Sequence, residues 1–302
     1  MSKCEGCGID LQNEFPNELG YTPLLTNKYC MRCFKLTNYG DKSPSNLNLT
    51  NEEIITKINN SNALVVFTCD FWTLSQNVVN LYHQIKQSKI FLLTKIDLIP
   101  KNINLDILKN KIKKIYDLED VLMISIKNND GEKELIDVIK NQSKVLFAGP
   151  TSSGKSSLIN HLYGKELTVS SSLNTTQDLV VMDMNNQKII DAPGFYFPFW
   201  QELKKQAGYT KSKSLHLNKE YCLENSNYEM HCDQDINITL FLPKQLLFKT
   251  KKIKKRYDKV INIPAKTDVI ISNIAIIYFK NSCKLYLNNI DHIEIRESIV
   301  GK

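Results

Sequence analysis

The stretch Gly149-Pro150-Thr151-Ser152-Ser153-Gly154-Lys155-Ser156-Ser157 holds the residue types that bind phosphate. It fits the pattern G-x-x-x-x-G-K-[ST]. Two glycines let the backbone wrap close to an anion, so that its N–H groups point at phosphate oxygens. Lys155 is spaced to reach the outer phosphates, and the Ser156 hydroxyl to ligate Mg²⁺. Ser152, Ser153 and Ser157 complete the candidate phosphate set. The run Val145-Leu146-Phe147-Ala148 before the loop reads as a buried strand. Leu158-Ile159-Asn160-His161-Leu162 after it reads as the first turns of a helix, whose positive end adds to anion binding. The bland alternative is a Ser/Gly-rich loop between a strand and a helix.

These residues need a frame, and the region around them alternates strand and helix. Helices are expected over Glu52 to Ile58 (with Asn51 as N-cap), Val78 to Ile85, Leu105 to Tyr116 and Glu132 to Ile139. Strands are expected over Ala63–Phe67, Ile90–Leu93, Val121–Ile124, Leu179–Met182 and Lys188–Ile190. Such alternation predicts an α/β fold: a doubly wound, mostly parallel sheet with helices on both faces. Ligands then bind at the C-terminal ends of the strands.

Four short motifs fall at such ends. Asp191-Ala192-Pro193-Gly194 could hold Mg²⁺ through the Asp191 carboxylate and sense a terminal phosphate through the Gly194 N–H, although Pro-Gly after a strand is also a common turn. In Thr94-Lys95-Ile96-Asp97 a carboxylate can accept two hydrogen bonds from a guanine edge, which adenine cannot offer, while the Lys95 stem lies over the base. The alternative is a helix-capping Asp. Ser125-Ile126-Lys127 is an ordinary turn or a backbone contact to guanine O6. Thr175-Thr176 is a polar loop or a second Mg²⁺ hydroxyl.

The 302-residue chain has 42% hydrophobic and 24% charged residues, ordinary for a globular protein with room for two or three domains. No run reaches the ~18 apolar residues of a membrane span. The N-terminus carries no export or organelle pattern, so a cytoplasmic protein is expected, in which the eight cysteines point to metal or buried thiols. Cys4-x-x-Cys7 and Cys30-x-x-Cys33 have the paired-knuckle spacing of a tetrahedral Zn²⁺ site, in a segment too short to fold on apolar burial alone. A redox pair is the rival. Lys42 to Asn48 reads as a linker. Cys222, His231 and Cys232 lack a partner knuckle, and Cys69 and Cys283 read as core.

Beyond about residue 206 short β-rich runs suggest an antiparallel domain: Ile236–Phe241, Val269–Ile271, Ile274–Phe279, Lys284–Leu287 and His292–Ile295. The net charge of +7 is concentrated here. Residues 244–266 alone carry +8, which leaves about −1 for the rest. Lys249, Lys251, Lys252, Lys254, Lys255 and Arg256, flanked by Phe248 and Tyr257, suit an RNA backbone with some base stacking. A solvated edge strand guarded by lysines is the alternative.

The motifs together resemble those of translation-factor-type GTPases in rotated order, base recognition first and phosphate binding second. With the knuckles Cys4-Glu5-Gly6-Cys7-Gly8 and Cys30-Met31-Arg32-Cys33 and the basic C-terminal region, the chain resembles the YqeH family of circularly permuted ribosome-assembly GTPases. The resemblance implies three parts: a zinc knuckle over 1–45, a permuted GTPase over 46–205, and a basic β-rich RNA-binding domain over 206–302. It implies hydrolysis of GTP to GDP coupled to maturation of the small (30S) ribosomal subunit, with that subunit and its rRNA as partners and no membrane or DNA. It implies that Gly149, Gly154, Lys155 and Ser156 bind phosphate and Mg²⁺, that Thr176 is the switch threonine (Thr175 the fallback), and that Asp191 and Gly194 are the Mg²⁺ and γ-phosphate sensor. Guanine would be read by Lys95 and Asp97 with Ser125 and the Ile126 backbone.

The chain departs from the pattern at several positions. Thr94 replaces the usual Asn and Ile126 the usual Ala. Ser152 stands where potassium-activated relatives carry Asn, and Asn174 replaces a Gly. Phe195 follows Gly194 where Ras-like proteins have a water-positioning Gln, so slow intrinsic hydrolysis is expected. The rivals are a P-loop ATPase and an RNA-binding assembly factor whose nucleotide is purely structural.

Overall fold

Seven strands make one sheet in the computed structural model: β1 (Leu64–Asp70), β2 (Lys89–Thr94), β3 (Val121–Met123), β4 (Lys144–Ala148), β5 (Thr168–Val169), β6 (Val180–Met184) and β7 (Gln187–Asp191). Their spatial order is β3-β2-β1-β4-β7-β6-β5. The structure describes residues 3–5, 10–15, 20–31, 49–163, 168–169, 179–184, 186–197, 211–224, 228–242, 248–253, 257, 259–271, 275–288 and 292–301. Strands β3, β2, β1, β4 and β7 run parallel. The edge formed by β5 and β6 is antiparallel. The connection between β6 and β7 is too short for a crossover, so the two must form a hairpin.

Among the described residues five helices join the strands: α1 (Asn51–Asn59), α2 (Gln76–Gln84), α3 (Leu105–Tyr116), α4 (Glu132–Ile139) and α5 (Lys155–Tyr163). The α3 and α4 limits agree with those read from the sequence. The N-cap of α1 is Thr50, one residue before the expected Asn51. Thr50 and Glu53 form a reciprocal capping box, and that pairing decides the start. Alternate residues of β1 supply the two faces. Phe67 joins a cluster with Ile58, Tyr82, Leu108 and Ile112 of α1–α3. Val66 joins Leu135, Ile139, Leu158 and Ile159 of α4 and α5. Helices therefore cover both faces, as the strand–helix alternation predicts. Among the described residues no helix is long and apolar enough to cross a membrane.

Ten further strands form two five-stranded antiparallel sheets. They are β8 (Lys211–Leu217), β9 (Tyr221–Glu224), β10 (Glu229–Cys232), β11 (Ile236–Leu242), β12 (Lys249–Lys252), β13 (Lys259–Ile263), β14 (Thr267–Ile271), β15 (Ala275–Phe279), β16 (Cys283–Asn288) and β17 (Ile293–Glu297). One sheet has the order β12-β9-β10-β16-β13, the other β17-β14-β15-β11-β8. They enclose an apolar core that includes Leu223, Met230, Leu240, Ile277, Leu285 and Leu287.

The second sheet is covered on both faces. All five residues of β14 are buried. Val269 and Ile271 face the first β-sheet's core. Ile270, with Phe241, Ile276 and Ile299, joins the apolar cluster of the α/β part that includes Phe71, Trp72 and Leu74. Polar contacts fix the same seam. Arg296 donates to the Leu74 carbonyl at 3.0 Å and pairs with Asp268 at 3.4 Å. The Glu294 carboxylate accepts from the Gln76 N–H at the start of α2, at 2.7 Å.

Candidate functional site

The sheet reverses its winding between β1 and β4, and the phosphate-type loop leaves β4 at that crossing. Gly149 has φ +148°, and a Cβ there would stand 2.1 Å from the Thr68 carbonyl oxygen on β1. Only glycine lets the loop start this close to the neighbouring strand. Thr68 Oγ1 lies 2.7 Å from Ser153 Oγ and donates to the Ala148 carbonyl at 3.1 Å. Ser153 is fully buried, so it acts from inside the loop, whereas Ser152, Ser156 and Ser157 are exposed.

At the head of α5, Lys155 Nζ is 3.3 Å from Asp191 Oδ1 at the end of β7. The Ser156 hydroxyl donates to Asp191 Oδ2 at 3.0 Å. Asp191 Oδ1 is buried without a hydrogen bond. A hydroxyl and a carboxylate side by side, with one carboxylate oxygen held only by an ion pair to Lys155, form the hard oxygen set that Mg²⁺ prefers. Gly194 follows with no room for a side chain, since a Cβ would meet Thr151 Cα at 2.9 Å. Around it the Phe195 N–H donates to the Gly149 carbonyl and the Thr151 N–H to the Phe195 carbonyl, each at 3.0 Å. The last motif is thus laced to the phosphate-type loop by backbone. The Phe195 side chain points inward, fully buried and stacked on Phe67 with ring centroids 5.8 Å apart.

The base-type motif sits on the other side of the loop, after β2. Thr94 Oγ1 is 2.5 Å from the Ser153 carbonyl oxygen and 3.2 Å from that of Cys69. The tie that an Asn would make to the loop is therefore made by a hydroxyl. Lys95 Nζ is 2.5 Å from the Ser152 carbonyl oxygen. Lys95 and Ser152 both hold left-handed backbone, at φ +55° and +64°. Non-glycine residues seldom adopt it, and such strain collects at functional sites. Asp97 lies in the middle of a 3-10 turn (Ile96–Leu98), and its Oδ1 accepts from the buried Ser125 hydroxyl at 2.8 Å. Ser125 therefore orients the carboxylate. The Ile96 N–H donates to the Ile124 carbonyl at 3.3 Å, which holds the two segments together. Ile126 packs against the α4/α5 face, clear of the edge, and Lys127 is exposed.

One edge of the sheet thus gathers Gly149, Gly154, Lys155, Ser156, Asp191, Gly194, Thr94, Lys95, Asp97 and Ser125. Thr175 and Thr176 lie outside the described residues. Two residues missed from the sequence also belong here, Thr68 and Asp70 on β1. Asp70 is buried and pairs with Lys95 at 2.7 Å. Their signal was positional: both end the strand beside β4, at the winding reversal.

In the N-terminal segment Cys4 and Cys30 are buried together, and the Cys30 N–H donates to Cys4 Sγ at 3.1 Å. An N–H aimed at a sulfur suits a thiolate ligand. Cys7 and Cys33 lie outside the described residues. Among the described residues no three His, Cys, Asp or Glu side chains form a metal cluster. Lys249, Lys251 and Lys252 are exposed on β12, and Lys251 pairs with Glu224 at 3.1 Å. Lys254, Lys255 and Arg256 are outside the described residues. Cys222, Cys232, Cys69 and Cys283 are all buried, as expected.

A family model described as RsgA GTPase matches residues 44–198, about half of the chain. A second, described as 50S ribosome-binding GTPase, matches residues 144–272. The uncharacterized protein YqeH of Bacillus subtilis (strain 168) is 29% identical over 215 residues, covering 63% of this chain and 58% of YqeH. The small ribosomal subunit biogenesis GTPase RsgA of Prochlorococcus marinus (strain NATL1A) is 35% identical over 118 residues, 36% of this chain and 37% of that protein. The chain therefore spans a little over half of one relative and about a third of the other. YjeQ from Thermotoga maritima is a structural neighbour at 22% identity and TM-score 0.32, covering 44% of this chain and 48% of YjeQ.

Proposed function

The chain belongs to the RsgA GTPase family, and on that premise we propose that it is a circularly permuted GTPase that hydrolyses GTP while acting on a ribosomal subunit during its assembly. The observation that carries this reading is the convergence of a phosphate-type loop and a guanine-type motif on one sheet edge, in rotated chain order. Lys155 and the loop N–H groups neutralise the β- and γ-phosphates. Ser156 and Asp191 would hold Mg²⁺, with Thr176 as the second hydroxyl; when bound, the ion neutralises charge that develops on the phosphates. The Gly194 backbone reports the terminal phosphate. Asp97, held by Ser125, accepts from the guanine edge, and the Lys95 stem covers the base.

Phe195 cannot orient the attacking water, because its ring is sealed beside Phe67. Backbone groups or the bound particle must do so, and the isolated chain hydrolyses slowly. The same observation favours the second reading, an assembly factor whose nucleotide is structural. Multiple-turnover phosphate release, abolished by Lys155→Ala, separates the two.

The finer assignment is the small subunit, reached through the lysines of β12 and residues 254–256, with Zn²⁺ on Cys4, Cys7, Cys30 and Cys33 shaping the N-terminal part. The descriptions of the matched families and relatives name both subunits. Co-sedimentation with purified small or large subunits, in GDP, a non-hydrolysable GTP analogue or an ATP analogue, tests it. Binding to the small subunit that favours the GTP analogue is expected. Binding indifferent to nucleotide, or confined to the large subunit, refutes it.

A further inference from the structure

Asp70 stands at the centre of the candidate nucleotide edge, and the GTPase chemistry described for that edge gives it no task. It is the last residue of β1, and its side chain is 4% exposed. Its two carboxylate oxygens have different partners. Oδ1 accepts from the Trp72 N–H at 3.0 Å, the Thr73 N–H at 2.9 Å and the Thr73 hydroxyl at 3.0 Å. These bonds close the turn after β1. Oδ2 takes no part in the turn and meets Lys95 Nζ at 2.7 Å.

Lys95 cannot reach this position by default. It sits in left-handed backbone, and its ammonium spans from Asp70 to the Ser152 carbonyl across the phosphate-type loop. Its Cε lies 3.5 Å from where a Cβ on Gly154 would be, so the stem lies along the loop. A long flexible side chain loses rotamer freedom to be held so. A fixed, buried countercharge offsets that loss and selects one orientation.

We propose that Asp70 is a positioning residue for the base-binding lysine: Oδ2 fixes the Lys95 ammonium against the Ser152 carbonyl, so that the aliphatic stem is laid in advance as one wall of the guanine site. This rests on the guanine-nucleotide reading of the same edge. Asp70 touches no nucleotide. It acts through Lys95, while Asp97 reads the guanine edge.

The split between the two oxygens makes this separable from a structural role. Asp70→Asn keeps an acceptor for the turn but removes the charge that faces Lys95. Fluorescent mant-GDP is titrated into the full chain as wild type, Asp70→Asn, Lys95→Met and the double variant. Asp70→Asn is expected to weaken binding about tenfold, the size of a coupling within one charged network. The double variant is expected to bind no worse than Lys95→Met alone. The preference for GDP over IDP is expected to stay at the wild-type value, because Asp97 is untouched. Additive losses, an unchanged affinity in Asp70→Asn, or an altered GDP/IDP preference each overturn the proposal. If Asp70→Asn does not fold, Asp70→Ser keeps a turn acceptor and replaces it in the same cycle. Equal wild-type affinity for mant-ADP overturns the guanine reading and this proposal with it, whereas selective mant-GDP binding with additive variants overturns this proposal alone.

Discussion

Two aspartate–cation pairs flank the turn from Asp70 to Leu74, and they are built for different ends. Asp70 meets Lys95, whose side chain is 31% exposed and keeps a second acceptor in the phosphate-type loop. Asp268 meets Arg296, and those side chains are 0% and 4% exposed. Arg296 spends its remaining contacts on the Leu74 carbonyl and the Tyr116 hydroxyl, inside the seam between the α/β part and the β-domain. A charge that must trade partners with a ligand needs a wet side. A charge sealed from water on every side can only hold what it already holds, and its removal strands the partner.

The largest effect that sharpens this contrast is at the sealed pair. Arg296→Met leaves Asp268 buried without a countercharge and is expected to cost about 3–5 kcal/mol in denaturant unfolding. Adding Asp268→Leu is expected to recover most of it, since an apolar pair of similar volume replaces a desolvated ionic one. Equal losses in the single and double variants would break the contrast, because the Arg296 contacts to Leu74 and Tyr116 would then carry the seam by themselves.

A smaller effect lies at Glu294, beside Arg296, the Tyr116 hydroxyl and the Gln76 N–H. Burial pushes its carboxyl above the ordinary value of 4.5, against the pull of the Gln76 N–H and Arg296. A raised carboxyl favours the protonated form in the folded state. That contribution is fully present below about pH 4.5 and is lost as pH rises through the folded value. Unfolding followed from pH 4 to 7 should therefore show Glu294→Gln gaining relative to wild type as pH rises. A constant difference across that range would mean that the seam does not desolvate Glu294.

The smallest effect is at the rim. Lys251 on β12 pairs with Glu224 in the open, so Lys251→Ala should leave the unfolding midpoint where it is. On the proposed RNA-binding role its effect is expected on RNA alone: affinity should fall alike for all sequences, and the slope of log affinity against log salt should drop by about one. A stability loss with an unchanged salt slope would assign Lys251 to the sheet edge instead.

The candidate nucleotide edge was legible in the sequence because phosphate-binding chemistry dictates residue types at fixed spacing. Backbone that must approach phosphate requires Gly149 and Gly154, and the strand before and helix after are equally patterned. Asp70 and Thr68 escaped because their importance comes from β1 lying beside β4, a long-range pairing that no local spacing records. In the β-domain the apolar runs of β11, β14, β15 and β16 were legible. Strands β8, β9, β10, β12 and β13 were not. β12 reads Lys-Thr-Lys-Lys, fully exposed, and owes its strand form to pairing with β9 rather than to apolar alternation. The long apolar run ending in Phe279 also hid a distinction. Its alternate residues serve two cores, one within the β-domain and one shared with the α/β part.

That double duty decides where the chain can be cut. A fragment that begins after residue 205 would carry Phe241, Ile270, Ile276 and Ile299 on an uncovered sheet face, with Arg296 and Asp268 beside them. Expressed alone it should self-associate or demand detergent, and the complementary fragment should be sticky around Phe71, Trp72 and Leu74. The β-domain is therefore an appendage in chain order only. Mixed as separate pieces, the two halves should find each other again, which makes this seam a natural place to split the protein into a reporter of its own reassembly.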